Sequence, residues 1–174
     1  MISKLHWVVF AVWSVILTSS VLYLSTLKAK QFDVNGLLLS NAMDTEFDHR
    51  FTSLIEETLD TRSGAVVHFT MDNCFCEYVA QSHVTSVKKL ASEHGFKNHV
   101  ITLNSTSRFN IPSVPAVAVI NQKGKLTYLG PYSTGMFCSE GEGLVEQYIN
   151  DNTEHNELGA TILTDTQGCY CNLG

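Results

Sequence analysis

The stretch GAVVHFTMDNCFCEYVA, residues 64–80, decides the fold that this sequence predicts. Its first part, Ala65–Thr70, is a short run of β-branched and aromatic residues, which is typical of a buried strand. From Glu77 to Glu93, apolar residues recur at spacings of three and four, which predicts an amphipathic helix. Cys74 therefore falls where the strand passes into the helix. Unpaired N–H groups and the helix dipole at that point stabilise a thiolate.

Further elements on both sides of this stretch predict one α/β domain. Helical spacing of apolar residues predicts a helix within residues 40–60, and a turn containing Lys123-Gly124 joins two strand-like runs into a hairpin. The predicted strands are residues 36–40, 65–70, 99–104, 116–120 and 126–129, and residues 160–164 are a candidate for one more. A capping box of the form S-x-x-E at residues 139–142 predicts the start of a last helix.

Two positions within this order of elements resemble the thioredoxin-like family. Phe69 lies five positions before Cys74, as the strand phenylalanine of thioredoxins precedes their nucleophilic cysteine, and Pro115 in SVPAVAVI matches their cis-proline. The resemblance covers residues 36–150 and implies a three-layer sandwich, in which a central mixed β-sheet is flanked by helices. It also implies a cis bond before Pro115, which lies against the cysteine motif, and a Val114 backbone offered to an extended substrate peptide.

The cysteine motif departs from the C-x-x-C of that family. Here it is C-x-C, so that Cys76 lies one residue early and Glu77 takes the place of the second cysteine. His68 stands where thioredoxins often carry a buried carboxylate. Its ordinary pKa suits a proton acceptor beside Cys74, and a strand histidine held by a backbone partner is the equally open interpretation.

A second C-x-C, formed by Cys169 and Cys171 in GCYC, leaves several pairings open. Cys74 and Cys76 can form one labile couple, because residues two apart point in nearly opposite directions on a helix and a bond between them is strained. Alternatively, Cys74 pairs with Cys169 or Cys171 and passes a disulfide between the motifs. All four thiolates can also form a metal site for zinc or copper(I), which accept soft sulfur ligands.

Other candidate ligands and nucleophiles are weaker. Cys138 makes the cysteine count odd and lies just before the predicted capping box, so it is a possible third thiol, with a buried inert cysteine as the alternative. His83 lies about two helical turns past Cys76 and is predicted to lie at the surface. The histidines that show no paired spacing and are predicted to be solvated are His49, His94, His99 and His155.

The N-terminal segment Trp7–Leu24, WVVFAVWSVILTSSVLYL, has 18 residues without a charge, which is the length of a membrane-spanning helix. Its length and the poor cleavage site after it favour an uncleaved anchor over a signal peptide. Flanking lysines on both sides leave the orientation undecided by charge. Because a single N-terminal span leaves the bulk of the chain outside the cytoplasm and five cysteines suit an oxidising compartment, we expect a single-pass bacterial inner-membrane protein with a periplasmic C-terminal domain.

The predicted organisation has four parts, and its charge excludes one class of partner. The parts are a cytoplasmic stub with the transmembrane anchor at 1–28, a linker at 29–35, the thioredoxin-like domain at 36–150 and a tail at 151–174. A net charge of −6, with scattered Lys and Arg, gives no basic surface for nucleic acid.

The leading prediction is thiol–disulfide exchange with the thiols or disulfides of substrate proteins, without a cofactor. In this hypothesis Cys74 attacks, Cys76 resolves the mixed disulfide, and Pro115 shapes the substrate groove. Cys169 and Cys171 form a second redox couple. Copper or zinc binding or delivery through Cys74, Cys76, Cys169 and Cys171 is the alternative, and a disulfide that merely holds the tail against the domain is the third. The sequence leaves open whether the protein is an oxidoreductase.

Overall fold

The computed structural model describes residues 4–135, 143–150 and 159–173. Its helices are α1 (Lys4–Lys28), α2 (Leu37–Ala42), α3 (Phe47–Leu59), α4 (Phe75–Glu93) and α5 (Glu146–Asn150). Its strands are β1 (Lys30–Gln31), β2 (Ala65–Thr70), β3 (Lys97–Thr102), β4 (Ser113–Val114), β5 (Ala116–Ile120), β6 (Leu126–Pro131), β7 (Thr161–Ile162), β8 (Gln167–Gly168) and β9 (Cys171–Asn172).

Strands of the described residues form a central mixed sheet in the order β3-β2-β5-β6-β7. β2 runs parallel to β3 and β6 runs parallel to β7, whereas β5 is antiparallel to both β2 and β6. The predicted hairpin between β5 and β6 is confirmed. In its turn, the Asn121 side-chain oxygen accepts the N–H groups of Lys123 and Lys125, and Gly124 adopts a φ of 78°, a conformation that favours glycine.

Helices cover both faces of this sheet. Because side chains alternate along a strand, Phe69 of β2 packs beneath Phe51 of α3 on one face, and Val66 packs with Val87 of α4 and Ile149 of α5 on the other. The predicted α/β architecture, with a central mixed sheet between helices, is therefore confirmed. Strand β2 has the predicted bounds, and β7 lies within the stretch predicted as an additional strand.

Residues 36–40 form the start of helix α2 and not the predicted first strand. Gly36 precedes the helix at a φ of 64°, and its carbonyl oxygen accepts the N–H of Ser40. The buried carboxylate of Asp33 accepts the N–H of Leu39 at 2.9 Å, which satisfies a donor of the first turn. A run of three leucines fits a strand or a helix equally, so this local capping decides for the helix.

Residues 29–35, predicted to be a linker, pack against the C-terminal segment. Strand β1 pairs antiparallel with β8, placing Lys30 opposite Gly168. Phe32 is only 1% exposed, and its ring meets that of Tyr170 edge-on at a centroid distance of 5.2 Å. Residues 30–33 are therefore part of the folded unit, whereas Val34 in the same stretch is 52% exposed.

Helix α1 is the one helix among the described residues that is long and apolar enough to cross a membrane. The window Lys4–Tyr23 has a mean hydropathy of 1.9, and none of it is buried in the rest of the chain. The predicted apolar N-terminal helix is thereby confirmed. The capping box at 139–142, together with Cys138 and His155, lies outside the described residues.

Candidate functional site: a four-cysteine cluster

Cys74 lies between β2 and α4, as the sequence predicts. It is the N-cap residue of α4, with an extended backbone at φ −86° and ψ 110°, and its carbonyl oxygen accepts the N–H of Glu77 at 3.2 Å. The Glu77 carboxylate in turn accepts the N–H of Met71 at 2.7 Å and the hydroxyl of Thr70. Glu77, which occupies the position of a second cysteine in C-x-x-C, thus fixes the loop that carries Cys74. The signal for this role was an acidic residue at the third position of a helix.

Two disulfides join the C-x-C motifs in antiparallel fashion. Cys74 is bonded to Cys171 with Cα atoms 5.9 Å apart, and Cys76 is bonded to Cys169 with Cα atoms 5.3 Å apart. Of the pairings that the sequence left open, bonding between the motifs is therefore observed, and the Cys74–Cys76 couple is not formed. Side chains two apart lie on the same side of an extended segment, so Cys169 and Cys171 of the tail each meet one cysteine of the other motif.

We call Cys74, Cys76, Cys169 and Cys171 the four-cysteine cluster, and their sulfur atoms lie close together. The sulfurs of Cys74, Cys76 and Cys171 all lie within 4.8 Å of one another, although they belong to two different disulfides. Cys74 and Cys76 are each 9% exposed, whereas Cys169 and Cys171 are half-buried. The two tail cysteines are therefore more exposed residues than the two at the helix start.

The predicted proline lies next to the cluster. The Val114-Pro115 peptide bond is cis, as the resemblance implied. The sulfur of Cys74 lies 3.9 Å from the carbonyl oxygen of Val114. In the disulfide this sulfur carries no proton, so the contact becomes a hydrogen bond only in the thiol form. The structure thus brings together Cys74 and the segment before Pro115.

The backbone before Pro115 pairs with the C-terminal segment of the same chain. Strands β4 and β9 are antiparallel, with Val114 opposite Cys171, and the N–H of Leu173 donates to the carbonyl oxygen of Pro112 at 3.0 Å. Tyr170 is 4% exposed and holds the chain just before this pairing. The edge that the resemblance assigns to an extended substrate peptide is occupied here by the chain's own tail.

A family model described as a domain of unknown function, DUF6436, matches residues 43–173. The chain belongs to the DUF6436 family. The matched range contains both C-x-C motifs, Val114 and the tail, and it begins after α1, β1 and α2. No curated protein and no solved structure matches the chain significantly.

In this DUF6436 domain His68 is placed away from the cysteines. Its neighbour Phe69 packs with the cluster, so His68 points to the opposite face of the sheet. There its Nε2 donates to the Asn98 side-chain oxygen at 2.8 Å, and its Nδ1 accepts the Tyr132 hydroxyl at 2.5 Å. Burial lowers the pKa of His68 to about 4, against the opposing effect of the Asn98 hydrogen bond. Both ring nitrogens are thus engaged, and the proton-acceptor role beside Cys74 has no contact to support it.

His83 is fully buried, in contrast to the predicted surface position. Its Nε2 donates to the carboxylate of Glu146 in α5 at 2.6 Å. Burial raises the pKa of Glu146, but hydrogen bonds from His83 and from backbone N–H groups outweigh it and lower that pKa. His83 shares a helix face with Ala80 and Val87, both buried, so apolar spacing could have indicated its burial. The acidic partner, 63 residues away, carried no local signal.

Of the histidines predicted to be solvated, His49, His94 and His99 lie in the described residues. His49 and His94 are exposed, as predicted, whereas His99 is half-buried and its Nε2 lies 3.3 Å from the Thr61 hydroxyl.

Proposed function

We propose that this protein carries out thiol–disulfide exchange on a thioredoxin-like fold. The observation that supports this most is the Cys74–Cys171 disulfide, which joins the N-cap cysteine of α4 to a tail cysteine beside the segment before Pro115. Thiol–disulfide exchange needs a disulfide that an incoming thiolate can reach, and Cys171 is the more exposed residue of this pair. The position of Phe69 before Cys74, the cis bond before Pro115 and the mixed sheet between helices support the thioredoxin-like assignment.

The exchange begins at Cys171. A donor thiolate attacks the sulfur of Cys171, a half-buried residue, forms a mixed disulfide with it and expels Cys74 as a thiolate. The donor's second thiolate then attacks the donor's first sulfur, which is bonded to Cys171 in that mixed disulfide. The donor leaves as a disulfide, and Cys171 becomes a thiolate. Two electrons have passed from the donor dithiol to the Cys74–Cys171 pair. Cys74 is the better leaving group because it caps α4, where the helix dipole stabilises a thiolate.

The Cys74 thiolate then acts on a substrate protein. It attacks a substrate disulfide, forming a mixed disulfide and releasing one substrate thiolate. Cys171 attacks Cys74 in this mixed disulfide, which restores the Cys74–Cys171 bond and releases the second substrate thiolate. The net reaction moves two electrons from donor dithiol to substrate disulfide, and every step is reversible. Cys171 takes the resolving role that the sequence suggested for Cys76, because Cys76 is bonded to Cys169.

The location we propose is the bacterial inner membrane, with α1 as a single-pass anchor and the domain in the periplasm. Helix α1 is long and apolar enough to span the hydrocarbon core. Two disulfides suit an oxidising compartment. Protein thiols or disulfides are then the partners, and nucleic acid is not.

The test compares matched variants of the full-length chain in detergent micelles, all carrying Cys138→Ser. A dithiol and a disulfide-bonded model protein are supplied, and reduction of the model protein is followed by thiol titration. Cys74→Ser should abolish catalysis, whereas Cys76→Ser, the same change two residues away, should retain it because Cys74–Cys171 still forms. Equal rates for the parent chain and Cys74→Ser, both indistinguishable from the dithiol alone, would contradict the proposal.

A second candidate function is copper or zinc binding by the reduced cluster. Cys74, Cys76 and Cys171 already hold three sulfurs within 4.8 Å, and thiolates suit both metals. Tetrahedral zinc ligands at about 2.3 Å from the metal lie roughly 3.8 Å apart, so the sulfurs of Cys74 and Cys171 must separate after reduction, whereas that of Cys76 is already near this distance. Native mass spectrometry of the reduced full-length chain with equimolar Zn²⁺ or Cu⁺ tests this. Stoichiometric metal binding that is lost in the Cys74→Ser variant supports metal binding by the cluster. Binding that is non-stoichiometric in the parent chain excludes it.

A further inference from the structure

We propose that Cys171–Leu173 is a detachable arm, which leaves the edge Pro112–Val114 on reduction and gives its place to an extended, cysteine-bearing segment of a substrate protein. This inference rests on the exchange function proposed above and specifies how the substrate is held. The observation behind it is the pairing of β9 with β4, which places Cys171 opposite Val114, where it is bonded to Cys74.

The arm is held mainly by its disulfide. Apart from the Cys74–Cys171 bond, its backbone contributes the two-residue β4–β9 ladder and one hydrogen bond from Leu173 to Pro112 at 3.0 Å. Each such hydrogen bond contributes only modestly to stability in water. Cys171 and Leu173 are half-buried and pack against the edge of the core, and the Asn172 side-chain oxygen accepts from the Ser113 hydroxyl at 3.3 Å. Breaking the one covalent bond therefore removes the dominant restraint on these residues.

The chain before the arm is anchored independently. The ring of Tyr170 packs against Phe32, and its hydroxyl donates to the carbonyl oxygen of Ser133 at 2.9 Å. The Cys76–Cys169 disulfide fixes the residue before it. Release therefore begins after Tyr170, and the rest of the tail stays in place when Cys171 is freed.

The edge that the arm vacates recognises backbone. The Pro112 carbonyl accepts an N–H in the closed form, and Val114 offers its backbone groups opposite the arm's cysteine. Ser113 between them is fully buried, and its hydroxyl donates to the Phe32 carbonyl at 2.6 Å, which fixes this edge whether or not the arm is present. The partner's segment is therefore extended and antiparallel to β4, with a cysteine opposite Val114 and an N–H two residues later.

The experiment uses the full-length chain in detergent with Cys138→Ser and Cys171→Ser, so that Cys74 is the one free thiol while Cys76–Cys169 remains. The probe is the peptide acetyl-Cys-Asn-Leu-Gly-amide, whose cysteine carries thionitrobenzoate. Attack by the Cys74 thiolate forms the Cys74–peptide disulfide and releases the coloured thionitrobenzoate thiolate. The control peptide is methylated on the leucine nitrogen, which removes the N–H that meets Pro112. The same chain with Cys74→Ser as a further substitution gives the background rate of thionitrobenzoate release.

The unmodified peptide should react about fivefold faster than the methylated one, which corresponds to one hydrogen bond. A variant that ends at Tyr170 should show the same preference at a similar rate, since an arm that leaves the edge when its disulfide is absent no longer competes for it. Equal rates for both peptides in both variants would overturn the arm proposal while leaving exchange intact. Absence of any reaction above the Cys74→Ser background would instead remove the exchange function.

A second measurement does not depend on the variants folding. In the Cys138→Ser chain, one equivalent of dithiol should raise amide hydrogen exchange in residues 171–173 and leave the amide of Cys169 protected, because its N–H donates to the Gly135 carbonyl oxygen at 3.1 Å. Exchange that rises equally at Cys169 and across β8 would show that the whole tail leaves, and it would contradict an arm that starts at Cys171.

Discussion

The two disulfides are nested, and we predict that their contributions to stability are strongly non-additive. Cys74–Cys171 and Cys76–Cys169 span sequence separations of 97 and 93. Either bond alone closes a loop whose lost unfolded-state entropy corresponds to about 5 kcal/mol. Once one bond exists, the other closes only the small ring of residues 74–76 and 169–171, which corresponds to about 2 kcal/mol. Cys74→Ser and Cys76→Ser should therefore each cost about 2 kcal/mol, and the double variant about 7 kcal/mol.

The assay is urea denaturation of the oxidised full-length chain in detergent micelles, followed by circular dichroism. All variants carry Cys138→Ser, so that the fifth thiol does not reshuffle the bonds, and the disulfides of each are mapped by mass spectrometry first. The expected result is a double variant that loses about three times as much free energy of unfolding as either single variant. A bond between Cys74 and Cys76 would be lost in full in either single variant, so the double variant would then lose no more free energy of unfolding than a single one. A double variant as stable as either single variant would therefore refute the nested arrangement.

Three further predictions concern residues outside the cluster. In the unfolded chain His68 takes up a proton below its ordinary pKa of 6.5, whereas burial in the folded chain keeps it neutral down to about pH 4. The free energy of unfolding should therefore fall by at most about 3 kcal/mol as the pH is lowered between these values. In pH-dependent denaturation, His68→Gln should reduce this loss. Glu146→Gln should cost about 2 kcal/mol at pH 7 by weakening the hydrogen bond from His83. Because the pKa of Glu146 is lowered, its stabilisation is present above pH 4.5 and lost as the pH falls, so the variant should lose less stability than the parent chain below that pH. Phe51→Ala should cost about 4 kcal/mol in thermal or urea denaturation, since the ring is 4% exposed in an aromatic cluster, whereas a loss under 1 kcal/mol would contradict its place in the core.

The central part of the fold was predictable because its signals are local. The run Ala65–Thr70 is apolar, β-branched and followed by a helical repeat, and the structure has a strand with these bounds. Gly124 marks the hairpin turn through its conformational freedom. The bond before Pro115 was inferred from a resemblance, since a proline alone does not specify a cis bond.

The features that the sequence did not predict depend on contacts between residues distant in sequence, or on stretches whose apolar pattern fits both a strand and a helix. Leu37–Ala42 became a helix because Asp33 and Gly36 start it, and the leucine run itself favours neither structure. The helical spacing of His83 from Ala80 and Val87 was a local signal of its burial, but its hydrogen-bond partner Glu146 lies 63 residues further along the chain. The pairing of Cys74 with Cys171 requires the tail to lie along β4, which no spacing within either C-x-C motif could reveal.

The structural and exchange roles of the cluster are complementary once the loops are nested. A domain of this size has a free energy of unfolding of about 5–15 kcal/mol, so losing both bonds removes a large share of it. Opening one bond removes only about 2 kcal/mol as long as the other remains closed. Tyr170 anchors the chain between the two tail cysteines, so Cys76–Cys169 is the bond suited to remain and Cys74–Cys171 the one suited to open. We therefore expect that one disulfide preserves the fold while the other exchanges, which gives a reason for two C-x-C motifs where a single disulfide would suffice as a staple.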